Sequence, residues 1–145
     1  DPTDAMDRTQ PGRPPRTVEQ EDAEIESFVR DMDTHVGNLS RSLLDMARVT
    51  STEQDFEDAR ALFEGSLSAA KKLLGLHYQH GETFVVRDGL RFYEVTLFAD
   101  RVMTRAANVL SRIAVSRRSA AGDADVQALE RDLRRLVDDL RLLRG

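Results

Sequence analysis

Apolar residues return every three or four positions through most of this chain, which is the period of an amphipathic helix and not of a strand. The first stripe runs Ile25, Phe28, Val29, Met32, Val36, Leu39, Leu43 and Met46. A second carries Phe56, Ala59, Leu62, Phe63, Leu67, Ala70, Leu73 and Leu74. The third is clearest from Leu97 and consists of Phe98, Val102, Ala106, Val109 and Ile113, with Leu110 at its edge. The fourth, Val126, Leu129, Leu133, Leu136, Leu140 and Leu143, alternates steps of three and four without a slip, the spacing of a coiled-coil seam.

The boundaries follow from capping chemistry. In "TVEQ" the Thr17 hydroxyl is placed to accept a free amide of the first turn, and Gln20 to reach back to the amide of Thr17. Glu19, Glu21, Asp22, Glu24 and Glu26 then lie near the positive end of the helix dipole. Gly37 interrupts the first stripe, which predicts a bend or the close approach of a neighbour. In "TSTEQ" the pairs Thr50 with Glu53 and Ser51 with Gln54 form two overlapping capping boxes, so a tight turn and a helix start are expected there. Gly75 or Gly81 is expected to end the second helix, and "SRRSAAGD" (residues 116–123) the third.

Four amphipathic helices with two short connections predict an all-α fold, an antiparallel up-down-up-down four-helix bundle over residues 17–145. The acidic start of the first helix would then lie beside Lys71, Lys72, Arg141 and Arg144. Residues 1–16 hold all four prolines and only Ala5 and Met6 from the hydrophobic set, and are expected to be a disordered tail.

The stretch "HYQHGETFVVRDGLRFYEV" (residues 77–95) breaks the pattern. Apolar residues bunch on both sides of Asp88-Gly89, a dipeptide favoured in tight hairpin turns. A two-residue loop would pair Val85 with Phe92 and Phe84 with Tyr93, making a β-hairpin connection with two apolar faces. The alternatives are an irregular plug on the end of the bundle, or a third helix that already starts at Asp88.

Composition changes this picture little. Of 145 residues, 40% are hydrophobic and 32% charged, which suits one solvated globular domain. A formal net charge of -5 argues against a nucleic-acid partner, since phosphate affinity comes mainly from lysine and arginine. No apolar run reaches the eighteen or so residues that a membrane span needs. There is no cysteine, so disulfides, thiolate metal sites and a cysteine nucleophile are excluded, and a reducing cytoplasmic location is expected.

Candidate chemistry is sparse. His77, His80 and Glu82 could share one side of a helix end and hold a metal, with Asp22 and Glu24 as further ligands at the level of Ile25. Terminal histidines more often satisfy free carbonyls. Arg101, Arg105 and Arg112 share one flank of the third helix and could grip an anion, although arginines beside an apolar stripe usually cover it and pair with acids on a neighbour. No phosphate loop, nucleophile elbow or His-Glu-x-x-His motif occurs, so neither an enzyme nor a cofactor is expected.

The expected function is therefore a non-enzymatic protein–protein interaction module: an adaptor, an assembly or secretion chaperone, or a subunit of a coiled-coil complex. Its partner would be another protein or a second copy of the chain. The expected contact residues are Phe84, Val86 and Tyr93 on the hairpin, and Leu129, Leu133, Leu136 and Leu140 on the fourth helix. The alternative is a bundle that senses a metal or small ligand in a pocket near His77 and His80.

Overall fold

The computed structural model describes residues 17–48, 52–79, 89–115 and 124–144. All regular structure among them is helical: α1 (Val18–Ala47), α2 (Glu53–Gln79), α3 (Gly89–Val115) and α4 (Ala124–Arg144). The anticipated disordered tail at residues 1–16 lies outside the described residues.

The Thr17 capping box forms as expected. The Gln20 amide donates to Thr17 Oγ1 at 3.1 Å and the Thr17 amide donates to Gln20 Oε1 at 2.8 Å. At the start of α2 the cap falls after both expected positions, one residue beyond Ser51 and two beyond Thr50. Thr52 takes this role, its Oγ1 accepting from the Asp55 amide at 3.0 Å while its own amide donates to Asp55 Oδ2 at 3.4 Å. "TEQD" thus supplies the same two reciprocal bonds with a carboxylate at the third position. Gly37 neither ends α1 nor admits a neighbour, for a Cβ built there would meet nothing within 4 Å. Helix α2 likewise runs through Gly75 to Gln79.

The third helix departs most from expectation. It is already helical at Gly89, so residues 89–95 are not the second strand of a hairpin, and Phe92 and Tyr93 belong to a helix. Residues 80–88, including Phe84, Val85 and Val86, lie outside the described residues. The reason is visible in the spacing: Phe92, Val95, Ala99, Val102, Ala106, Val109 and Ile113 alternate steps of three and four, and all seven are buried. The stripe therefore begins at Phe92 and is centred on Ala99 and Met103. Phe98 is only half-buried, on the flank towards α4.

One hydrophobic core joins the four helices. Helix α1 packs on α2 and α4, and α3 packs on the same two neighbours, so the helices close into a ring. Every apolar position assigned to α1 and α4 is buried, including Met32, Val36, Leu39 and Leu43 on the first and Leu129, Leu133, Leu136 and Leu140 on the last. Across the ring, Phe28 of α1 meets Phe92 of α3 edge to face, with ring centroids 5.1 Å apart. Ser42, buried in the same core, donates back to the carbonyl of Asn38 at 2.7 Å, and Thr96 to that of Tyr93 at 2.7 Å, so both hydroxyls are satisfied within their own helix.

Candidate functional site

Where α3 and α4 lie side by side, their contacts run in opposite order. Arg135 of α4 lies over the ring of Phe98, Arg105 bonds Asp132 at 2.5 Å, and Arg112 bonds Asp125. Residue numbers rise along α3 as they fall along α4, which makes this pair antiparallel. The charged residues flank the packed stripe on each helix, so the groove above the core is bordered by ion pairs.

This groove opens at the end where α3 begins. There a cavity of about 440 Å³ is lined by Glu94, Leu97, Phe98, Arg101, Arg135 and Leu142, among others. A second depression of about 420 Å³ continues along the same groove past Arg101 to Asn108 and Asp125. Two guanidinium groups approach the Phe98 ring, with Arg135 at 4.4 Å and Arg101 at 5.9 Å from its centroid. Both distances are within the range of cation–π attraction. Arg135 also approaches Asp139 at 3.8 Å.

The apolar exposure is concentrated here. Among the described residues, five large hydrophobic side chains are exposed: Val18, Leu44, Tyr93, Leu97 and Leu142. Val18 and Leu44 stand near opposite ends of α1. Leu97, 39% exposed, and Leu142, 61% exposed, line the same cavity, and Tyr93, 51% exposed, lies one helical turn from Leu97.

The anticipated site residues fall into distinct groups. Tyr93 is exposed, and stands on a helix and not on a hairpin strand. Leu129, Leu133, Leu136 and Leu140 have no exposed surface, because α1 and α3 cover the seam on both sides. Arg105 and Arg112 are engaged with Asp132 and Asp125 on the neighbouring helix, as arginines beside an apolar stripe usually are, which leaves Arg101 as the member of that trio without such a pair among the described residues. The metal trio cannot be assembled from what is described: His77 belongs to α2 by its backbone, while His80 and Glu82 lie outside the described residues, as do Phe84 and Val86.

Sequence reasoning missed Leu142, Leu97, Phe98 and Glu94 as groove residues. A signal for two of them was present. Leu142 stands beside the seam residue Leu143 but off the seam, and Leu97 stands off the stripe of α3; an apolar residue outside its helix's packed stripe is left to solvent or to a partner. Comparison of the chain with family models, curated proteins and solved structures gives no match.

Proposed function

We propose that this chain is a non-enzymatic protein–protein interaction module whose working surface is the groove between α3 and α4. The observation that carries this reading is the pairing of exposed Leu97 and Leu142 in one groove, with Tyr93 a turn away, while the other apolar stripes among the described residues are covered. Apolar side chains ringed by charge are the usual make-up of a docking patch: the apolar centre supplies affinity and the charged rim supplies register. The scaffold we propose is an antiparallel, up-down-up-down bundle. The ring of neighbours, the opposed register of α3 and α4, and the short connection between α1 and α2 support that topology.

A photo-crosslinking residue placed at position 97 or 142 tests this reading in the source cell, with the same residue at position 44 as control. Adducts with protein are expected from the two groove positions and not from the control. If the groove positions give no protein adduct at all, the surface is not an interface. Leu97→Ser with Leu142→Ser is expected to abolish the contact while costing about 1 kcal/mol of folding stability per site, well below the loss from truncating a core leucine.

A further inference from the structure

The groove carries a charge pattern that reverses about its own midpoint. On α3, Glu94 and Arg101 stand seven residues apart, roughly 10.5 Å along the helix at 1.5 Å per residue. Leu97 and Phe98 lie midway between them. Glu94 makes no ion pair or hydrogen bond among the described residues, and Arg101 only leans on the Phe98 ring. Both charges are exposed. An acid and a base placed symmetrically about an apolar centre form a surface complementary to an antiparallel copy of itself.

We propose that the occupant of this groove is a second copy of the chain, docked α3 against α3 about a two-fold axis that passes between Leu97 and Phe98. This rests on reading the groove as an interaction surface and names its partner. Under that axis Glu94 of each copy faces Arg101 of the other, so one contact is made twice, as closed two-fold interfaces require. Leu97 of each copy meets the Leu97–Phe98 centre of the other. Leu142 and Tyr93 extend the apolar contact on either side.

The charge of the whole molecule favours this face over others. Helix α1 carries eight carboxylates against Arg30 and Arg41, and α2 five against Arg60, Lys71 and Lys72. Helix α3 carries only Glu94 and Asp100 against four arginines, and in α4 the two signs balance. A two-fold contact through α3 turns the acidic helices of both copies outward. Bundle layers are about 8–10 Å thick and the screening length at physiological salt is about 8 Å, so the two acidic halves scarcely sense one another. Stacking the acidic half of one copy on the groove of the next would instead make an open-ended chain, and the exposed apolar residues of α1, Val18 and Leu44, form no patch for it.

Sedimentation equilibrium on the full chain, from micromolar to near-millimolar protein, tests the proposal. The mass is expected to rise from 16.3 kDa towards twice that value. Glu94→Arg and Arg101→Glu each set like charges opposite one another twice, and each is expected to weaken self-association by at least about tenfold. An equimolar mixture of the two variants restores opposite charges at both contacts and is expected to regain the dimer, and so is the double variant in one chain. Circular dichroism and thermal melting establish that each variant is folded; should a charge variant unfold, Leu97→Lys replaces it as the disrupting change. A wild-type mass that stays at the monomer value overturns the proposal, as does a dimer indifferent to the charge exchange or to Leu97→Lys. The crosslinks at positions 97 and 142 separate this failure from that of the broader reading: adducts with a foreign protein alone sink the second copy and spare the interface, while no adduct sinks both.

Discussion

Phe92 and Tyr93 are adjacent in sequence and belong to opposite environments, which makes them a sharp test of where α3 begins. Phe92 is 4% exposed and stacks edge to face on Phe28 across the core. Truncating a buried phenylalanine to alanine costs about 3–5 kcal/mol, through lost burial and the cavity left behind. The ring pair accounts for about 0.5–1.5 kcal/mol of such a loss. Tyr93 projects from the other side of the helix. Its backbone carbonyl, which accepts from Thr96 Oγ1, survives the substitution. Tyr93→Ala therefore removes a side chain that is 51% exposed and places a better helix former in α3, so its effect should be no more than about 1 kcal/mol. Urea unfolding followed by circular dichroism resolves the two. With a slope of about 1–3 kcal/mol per molar urea, the Phe92→Ala midpoint should fall by more than about 1 M while that of Tyr93→Ala moves much less. Equal losses from the two substitutions would refute the helix at this point, because only an element with two buried faces makes neighbouring side chains equally costly. Comparison below the concentration at which the chain associates keeps any contribution of Tyr93 to a partner out of the measurement.

The seam of α4 should behave as core: Leu133→Ala is expected to cost about 2–5 kcal/mol by urea unfolding, and an unchanged midpoint would show that α4 is not packed on its neighbours. The Arg105–Asp132 pair, exposed by 47% on the arginine side, should show a coupling of no more than about 1 kcal/mol in a double-mutant cycle, and the coupling should shrink as salt is added.

Much of the helical framework was legible in the sequence. Period and caps are local properties, since a capping box needs residues three apart and an amphipathic stripe needs only its own helix. This is why the stripes read for α1 and α4 lie wholly in the core, and why Thr17 caps as expected. The start of α3 was written in the same code, from Phe92 onward, but the Asp-Gly dipeptide and the bunched aromatics offered a competing local reading. What decides between the two is the bundle itself. Phe28, more than sixty residues earlier, supplies a buried partner for the Phe92 ring that a marginal hairpin would lack.

The candidate site was the work of tertiary structure. Period determines how wide a stripe is, but not which neighbour lies along each of its edges. Only the register of α3 against α4 engages Arg105 with Asp132, twenty-seven positions on, and Arg112 with Asp125, leaving Arg101 as the arginine of that flank without a cross-helix carboxylate among the described residues. The same register turns Leu97 and Leu142, each beside its helix's stripe, into two walls of one groove. The leucines of the α4 seam show the converse. Their spacing suits a free coiled-coil face as well as a core, and it is the neighbouring helices, closing over the seam, that removed Leu129, Leu133, Leu136 and Leu140 from the surface. Hydrophobic burial has no direction of its own, so a sequence can specify which residues leave water without specifying what covers them.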